Sequence, residues 1–316
     1  MSTILAKKNT RSAHIQQLVK LAANYDGVDL DYEGFAFSDG QASWATTKKR
    51  WGKFITELGA ALHQQNKLLS VSVPPIYAGG GGYWVYDYPT LAASADRVRV
   101  MTYDYSVGSP GPISPIDWWK STGTYLKTIL GDKLYLGVGS YGRIWAQKTA
   151  GTCGKNVSLA TRSFTSANAG AVIKGTIKHS RGEATSTWTQ THKTKKTSCK
   201  VTYTAWWTDT TALKQKAEWA NRTNTALAIW TPSGLSQEQI DTLATIGEQN
   251  TLRVSAKTTK TRTTLTITGV DGKARIYRKE KTGWKRTHTL AIKTGQPTKI
   301  RLGKQARNKT WKITNN

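Results

Sequence analysis

The chain has 316 residues, of which 38% are hydrophobic, so it is long enough to bury a core and to form more than one domain. Its formal net charge of +27 predicts attraction to polyanions such as cell-wall polymers, anionic lipid surfaces or nucleic acid, although charge does not identify a fold. No run approaches the roughly 20 apolar residues of a membrane span, and the N-terminal sequence MSTILAKKNTRSAH lacks the apolar core of a secretory signal, so the composition predicts no transmembrane segment.

Amphipathic helices and short apolar strands alternate along the first 250 residues. The predicted strands begin near Gly27 and cover 68–73, 98–103, 134–139 and 226–230, and the predicted helices cover 12–24, 44–65, 117–129, 211–221 and 236–249. Apolar strands that alternate with helices are typical of a parallel sheet in an α/β protein. The sequence therefore predicts an α/β fold over residues 1–250.

A segment rich in Thr, Ser and Lys, residues 151–203, separates the fourth predicted strand from the fifth. It contains both cysteines, Cys153 and Cys199, and no CxxC or clustered Cys/His spacing that would indicate a zinc site. We interpret the segment as an inserted β-rich excursion pinned by a Cys153–Cys199 disulfide; a flexible loop and two free thiols are the alternatives. A disulfide would indicate an oxidising compartment, although the N-terminus carries no export signal.

From residue 251 the chain becomes strongly basic. Residues 251–316 hold 18 lysines and arginines against two acids, a net charge of +16, which leaves +11 for the first 250 residues. Thr, Val and Ile alternate in this segment as they do in β-strands. We predict a small, basic, all-β accessory domain over 251–316, with a disordered tail as the alternative.

Acids at alternate positions mark the segment DGVDLDYE, residues 26–33. On a strand Asp29, Asp31 and Glu33 would share one face, where burial and repulsion would make them costly unless they served chemistry. Crowded carboxylates raise the pKa of one member, and a glycosidase needs a protonated carboxyl near neutral pH. The alternatives are a solvated acidic edge and a calcium loop, but the twelfth residue from Asp29 is Gly40 rather than the glutamate of an EF-hand.

DGVDLDYE resembles the DGxDxDxE motif of glycoside hydrolase family 18, the family of chitinases and endo-N-acetylglucosaminidases. Three later segments resemble the sixth, seventh and eighth strands of that family's barrel, in the same order: MTYDY at 101–105, LGVGSYGRIW ending at Trp145, and ALAIWTP at 226–232. The resemblance covers roughly residues 11–250.

The resemblance implies catalytic roles for four residues. Glu33 would protonate the glycosidic oxygen and later act as base, and Asp31 would orient and stabilise the substrate's 2-acetamido group, whose carbonyl oxygen is the nucleophile. Asp29 would hold a proton with Asp31, and Tyr103 would donate a hydrogen bond to the acetamido group. No metal and no cofactor are implied.

The resemblance also implies a substrate-binding set. Met101 and Asp104 would line the same subsite as Tyr103, Trp230 would form the floor beneath the sugar, and Tyr141 and Arg143 belong to the seventh-strand motif. Other aromatic residues that could line the cleft, with a core or a surface role as the alternative, are Trp84, Tyr86, Trp118 and Trp145.

The chain departs from the family at its N-terminus. The family's TIM (β/α)8 barrel has its acidic motif on the fourth strand, whereas here only a helix and a short leader precede the motif. We therefore expect an incomplete TIM barrel that lacks roughly the first three strands. Such a sheet would have two open edges and less support for the acids, so we expect impaired activity.

These observations predict a retaining glycoside hydrolase acting on β-1,4-linked, N-acetylglucosamine-containing glycans such as chitin or peptidoglycan-like polymers. The basic C-terminal domain would bind an anionic cell-wall polymer or surface, and the family resemblance implies an extracellular or wall-associated protein. The alternative is a catalytically inactive protein that binds a glycan or the cell wall. Specific nucleic-acid binding rests on charge alone and lacks a recognition motif.

Overall fold

The structure is a computed structural model that describes residues 2–35, 40–78, 81–82, 85–249, 253–258, 263–268, 272–280, 283–292, 298–302 and 311–315. Contacts divide the chain into two compact units: Met1–Lys216 with Thr225–Gln239, and Ala217–Asn224 with Ile240–Asn316. The second unit therefore takes in helical residues that precede the predicted boundary at residue 250, and that boundary stays a prediction. Trp84 lies outside the described residues.

The helices of the chain are α1 (Ser2–Ala6), α2 (Lys8–Leu21), α3 (Trp44–His63), α4 (Tyr88–Ser94), α5 (Ile116–Leu130), α6 (Ala169–Val172), α7 (Thr210–Arg222) and α8 (Gln237–Gln249). The strands up to residue 230 are β1 (Gly27–Leu30), β2 (Leu68–Val73), β3 (Ile76–Tyr77), β4 (Gly81–Gly82), β5 (Arg97–Val100), β6 (Leu134–Gly139), β7 (Tyr141–Thr152), β8 (Arg162–Thr165), β9 (Lys178–Ser180), β10 (Glu183–Lys193), β11 (Ser198–Trp207) and β12 (Ala226–Trp230). Within the described residues, no helix is both long and apolar enough to cross a membrane.

Five parallel strands form the central sheet of the first unit, in the order β1-β2-β5-β6-β12. The predicted α/β fold with a parallel sheet is confirmed. The predicted strand at 98–103 is three residues too long, because β5 ends at Val100 and the chain then bends around Asp104, which has a φ of 60°. The absence of three barrel strands stays a prediction.

Apolar side chains of α3 and the strands form the core beneath this sheet. Phe54, Ile55 and Leu58 of α3 are completely buried, as are Val71 and Val98 of the sheet. The apolar stripe predicted on this helix is therefore the face that packs inward.

The N-terminal helical segment begins earlier than the pattern predicted. The prediction placed one helix over 12–24, whereas α1 and α2 begin at Ser2 and Lys8. The buried Arg11 explains the difference: its Nε lies 2.7 Å from Oε2 of Glu57 in α3, and its Nη1 donates to the carbonyl of Leu5. Because a charged residue occupies a buried position of the helix, the spacing of apolar residues does not reveal this part of the helix.

An antiparallel sheet occupies residues 141–207, in the order β8-β7-β11-β10-β9. The predicted excursion at 151–203 is therefore β-rich, but its sheet begins ten residues earlier than predicted because β7 continues through Tyr141–Thr152. A disulfide joins Cys153 to Cys199 across β7 and β11.

Two three-stranded antiparallel sheets lie in the C-terminal segment, in the orders β13-β14-β17 and β16-β15-β18. Their apolar side chains, including Ile267, Ala274 and Ile276, form one buried cluster. The strands are β13 (Arg253–Thr258), β14 (Thr263–Thr268), β15 (Gly272–Glu280), β16 (Gly283–Ile292), β17 (Thr298–Leu302) and β18 (Trp311–Asn315).

A buried ion pair joins the antiparallel sheet to its surroundings. Lys216 Nζ lies 3.0 Å from Oε1 of Glu183, and both side chains are fully buried. The Glu183 carboxylate also accepts hydrogen bonds from the backbone N–H groups of Ile113 and Ser114, at 2.6 and 3.1 Å. One carboxylate therefore ties β10 to α7 and to the loop that follows β5.

We expect Lys216→Met to lower the free energy of unfolding by about 3–5 kcal/mol, because it leaves the buried Glu183 carboxylate without its cation. Urea denaturation followed by circular dichroism measures this change. The matched control is Lys48→Met, which breaks a more exposed pair with Asp87 and should cost less than about 1 kcal/mol. Equal losses in the two variants would contradict the structural role of the buried pair.

Candidate active site

Tyr32 anchors the acidic segment that follows β1. Its hydroxyl lies 2.8 Å from Nε2 of His14, its ring stacks on Phe54 with centroids 6.2 Å apart, and its backbone carbonyl accepts a 2.7 Å hydrogen bond from Tyr86. Because successive side chains of extended backbone point to opposite sides, anchoring Tyr32 inward turns Asp31 and Glu33 the other way.

Asp31 and Glu33 line one side of a cleft of about 660 Å³. Both are exposed, and β1 is an edge strand, since no described strand pairs with its second edge. The prediction of three acids on a buried strand is therefore wrong in its burial, although the alternation holds. Asp29 does not line the cleft; its Oδ2 lies 2.9 Å from Nη1 of Arg99.

Partial desolvation and neighbouring negative charges raise the pKa of both cleft carboxyls. Partial desolvation raises the pKa of Glu33, and the negative charges of Asp31 and Asp104 raise it further. Desolvation likewise raises the pKa of Asp31, with a second contribution from the charge of Asp29. Glu33 therefore retains its proton to a higher pH than an isolated glutamate does, as a general acid must.

Tyr103 reaches the cleft from the end of β5, over a glycine of β6. A Cβ atom on Gly137 would lie 2.8 Å from the Tyr103 ring and 2.7 Å from the carbonyl oxygen of Val100, so only glycine permits this approach. Burial raises the pKa of the Tyr103 phenol, and the nearby charges of Asp31 and Glu33 raise it further. Tyr103 is thus a hydrogen-bond donor throughout the ordinary pH range.

Asp104 is held by two residues of β7. Its Oδ1 lies 2.7 Å from Nη1 of Arg143 and accepts a hydrogen bond from the Tyr141 hydroxyl. These contacts keep a negative charge near Glu33, where it contributes to the raised pKa of that carboxyl.

Trp230 closes the cleft at the end of β12. It is 53% exposed, although tryptophan usually packs in a core, and its carbonyl accepts a 2.8 Å hydrogen bond from the Ser140 amide. Its side chain also lines an adjoining lobe of about 370 Å³ together with Tyr141 and Arg143. A large exposed ring beside carboxylates suits the apolar face of a sugar.

The structure brings together most of the residues that the sequence nominated. The larger lobe contains Asp31, Glu33, Met101, Tyr103, Asp104 and Trp230, and the smaller lobe adds Tyr141 and Arg143. Sequence reasoning missed several lining residues, which are Pro74, Pro75, Tyr77, Tyr105 and Val107. Their signal was available, because each closely follows the end of a parallel strand, where α/β ligand sites form.

The three further described aromatic candidates have different environments. Trp118 lines the cleft, with its ring 5.2 Å from Tyr105. Tyr86 and Trp145 are buried, and Trp145 donates a 2.8 Å hydrogen bond to the carbonyl of Val107. Core packing therefore accounts for two of the three.

Solved structures share this fold at low identity. A chitinase from Chromobacterium violaceum ATCC 12472 is similar with a TM-score of 0.60 and 20% identity, over 76% of this chain and 72% of that chain. The spore cortex-lytic enzyme SleL of Bacillus megaterium QM B1551 is similar with a TM-score of 0.59 and 19% identity, over 78% of this chain and 54% of that one.

Sequence comparison identifies the family. The chitinase-like protein Idgf3 of Drosophila simulans is 28% identical over 137 residues, which is 37% of this chain and 30% of that protein. The match thus spans less than a third of that relative. The family described as glycosyl hydrolases family 18 matches residues 2–233, most of the chain. The resemblance carried by the four motifs is confirmed, and this chain belongs to glycosyl hydrolases family 18.

Proposed function

We propose that this chain hydrolyses β-1,4-linked, N-acetylglucosamine-containing glycans, chitin or peptidoglycan-like, by substrate-assisted catalysis with retention. The observation that carries the proposal is the convergence of Glu33, Asp31, Tyr103 and Trp230 on one cleft in a member of this family. The raised pKa of Glu33 favours the protonated carboxyl that such chemistry needs.

In the first step, Glu33 donates its proton to the glycosidic oxygen as the bond from that oxygen to C1 breaks. The carbonyl oxygen of the substrate's own 2-acetamido group attacks C1 from the opposite side and forms a cyclic oxazolinium ion. Asp31 accepts a hydrogen bond from the acetamido N–H and stabilises the positive charge. Asp29, whose carboxylate is held by Arg99, lies outside the cleft and places a negative charge near Asp31, which raises the pKa of Asp31.

In the second step, the Glu33 carboxylate removes a proton from a water molecule that attacks C1 and reopens the ring. Two inversions at C1 leave the configuration unchanged. Tyr103 donates a hydrogen bond that aligns the acetamido carbonyl, and the Trp230 ring packs against the sugar face. Met101 and Asp104 complete the lining, and Asp104 also sustains the raised pKa of Glu33.

A glycan-binding protein without turnover is the second candidate. The observation that favours it is the exposure of Asp31 and Glu33 beside β1, which pairs only with β2 among the described strands. Open acids are surrounded by water and less firmly oriented, which slows proton transfer. Sugar stacking on Trp230 would survive such a loss.

The C-terminal segment 251–316 would bind a second partner in addition to the substrate glycan. Its net charge of +16 favours an anionic cell-wall polymer or surface. We infer an extracellular or wall-associated protein from this charge, from the Cys153–Cys199 disulfide and from the family.

Glu33→Gln separates the two candidate functions. In an enzyme it should reduce hydrolysis of soluble N-acetylglucosamine oligosaccharides by at least about 10²–10⁴-fold, because the amide cannot deliver a proton, while oligosaccharide binding persists. Product release is measured by chromatography and binding by calorimetry. Asp132→Asn, an exposed carboxyl outside the cleft, is the control and should retain full activity. Wild-type protein that binds the oligosaccharide without cutting it would support the binding protein instead.

Asp104→Asn should shift the alkaline limb of the kcat/KM profile to lower pH. Removing the Asp104 charge removes one cause of the raised Glu33 pKa, so the acid loses its proton at a lower pH. Asparagine tolerates the positive φ of this position, which keeps the backbone in place. The same limb in Asp132→Asn should not move, and an unmoved limb in both variants would contradict the electrostatic coupling.

Trp230→Ala should weaken binding of the oligosaccharides by about tenfold, since stacking on an aromatic ring contributes about 0.5–1.5 kcal/mol beyond its buried area. Because Trp230 is exposed, its loss should leave the melting temperature nearly unchanged. Trp119→Ala removes a fully buried ring and should instead lower the melting temperature. Unchanged affinity in Trp230→Ala would remove this residue from the site.

A further inference from the structure

The antiparallel sheet of residues 141–207 carries a large positive charge of its own. It contains 11 lysines and arginines and one acid, so its formal net charge is +10, close to the +11 of the first 250 residues. That acid, Glu183, is buried and paired with Lys216. The sheet therefore presents positive charge without a carboxylate of its own at the surface.

The sheet has one apolar face and one polar face. Ile144, Val201, Tyr203 and Trp207 belong to the buried cluster on the first face. The alternate residues point the other way. This second face, here called the threonine face, comprises Arg143, Gln147 and the buried Trp145 of β7, Thr185, Thr187, Thr189 and Thr191 of β10, and Thr202, Thr204 and Trp206 of β11.

Threonine hydroxyls meet across the strands of this face. The hydroxyls of Thr189 and Thr202 lie 3.0 Å apart, and those of Thr187 and Thr204 lie 3.5 Å apart. Thr187 and Thr189 are exposed and Thr202 and Thr204 half-buried, so the face presents a row of hydroxyls that can both donate and accept hydrogen bonds.

A group of lysines lies at the far end of the threonine face. This lysine cluster comprises Lys193, Lys195, Lys196 and Lys200, all exposed, and Lys200 pairs in register with Thr191. Among the described residues, none of the four forms an ion pair with a carboxylate. Four unneutralised cations at one end of a polar face favour an anionic ligand.

The near end of the threonine face reaches the cleft. Trp206 pairs in register with Arg143, and Arg143 lines the smaller lobe together with Trp230. From Trp206 to Lys200 the strand extends about 20 Å. A polymer that leaves the cleft beside Arg143 would therefore cross the threonine hydroxyls and end among the lysines.

We propose that the threonine face and the lysine cluster bind a carboxylate-bearing strand of an N-acetylglucosamine-containing glycan. Hydroxyls of the strand bond to the threonines, and its carboxylates pair with the lysines. Charge complementarity selects this ligand, because a neutral glycan would leave the four ammonium groups without partners. The claim that the same strand continues into the cleft as substrate rests on the proposed function, whereas binding to the face does not.

A nucleic acid fits the arrangement less well. It carries a phosphate at every unit, and such a strand would bring negative charge against Asp31 and Glu33 at the cleft. A glycan with carboxylates on only some of its sugars can place a neutral N-acetylated unit there.

The test compares two soluble polymers with the same backbone, carboxymethyl chitin and the neutral glycol chitin. Binding is measured on the full chain carrying Glu33→Gln, so that neither polymer is consumed. In this background the triple variant Lys193→Gln, Lys196→Gln and Lys200→Gln should raise the Kd for carboxymethyl chitin by about tenfold or more at low salt. The Kd for glycol chitin should change by less than about twofold, because no ion pair is lost.

The matched control removes three positive charges from a different surface. Lys7→Gln, Lys20→Gln and Lys49→Gln remove exposed lysines of the N-terminal region and α3, and the Kd for carboxymethyl chitin should stay within about twofold of the parent. Equal weakening in the two triple variants would overturn the proposal, since net charge alone would then explain binding. Tighter binding of duplex DNA, lost in the first triple variant, would also overturn it in favour of a nucleic-acid site.

This outcome is independent of catalysis. A wild-type chain that cuts no oligosaccharide but needs the three lysines to bind carboxymethyl chitin would contradict the proposed hydrolase and support this binding site. A chain that hydrolyses oligosaccharides and binds both polymers equally in every variant would support the proposed hydrolase and contradict this binding site.

Discussion

The inward anchoring of Tyr32 is the constraint on which the cleft depends. Its ring stacks on Phe54, and its hydroxyl contacts His14, so the backbone on either side has little freedom to rotate. Since neighbours of an inward residue must point outward, Asp31 and Glu33 face the same space. The aromatic core beneath the acids thus fixes the direction of the carboxyls, while partial desolvation and, after it, neighbouring negative charges raise their pKa values.

The loop after β5 meets the acids from the other side, and buried polar contacts hold it. Ser114 donates a 2.6 Å hydrogen bond to the carbonyl of Thr102, and Thr102 donates a 2.8 Å hydrogen bond to the carbonyl of Gly137. The Glu183 carboxylate binds the backbone of the same loop and pairs with Lys216. The inserted sheet therefore supports the position of Tyr103 and Asp104 as well as adding surface, because unsatisfied buried polar groups would cost too much free energy for the loop to move away.

Opposite charges occupy adjoining parts of the first unit. The cleft concentrates Asp31, Glu33 and Asp104, whereas the inserted sheet has a net charge of +10 over residues 141–207. The Arg143–Asp104 pair lies between the two, with the Arg143 side chain mostly buried. Such a division lets one surface attract an anionic polymer while the neighbouring negative charges of the cleft raise the pKa of Glu33.

The sequence by itself determined the order of helices and strands, the alternation around Tyr32 and the family, because periodicity and the DGVDLDYE motif are local properties of the chain. Only the tertiary structure decided which acids share the cleft: Asp29 has the same spacing as Asp31 and Glu33, yet Arg99, 70 residues away, takes its carboxylate. Burial was likewise decided in three dimensions, since β1 proved to be an edge strand and Arg11 a buried residue. Contacts between distant segments depend on which strands pair, and the periodicity of one segment does not specify its distant partner.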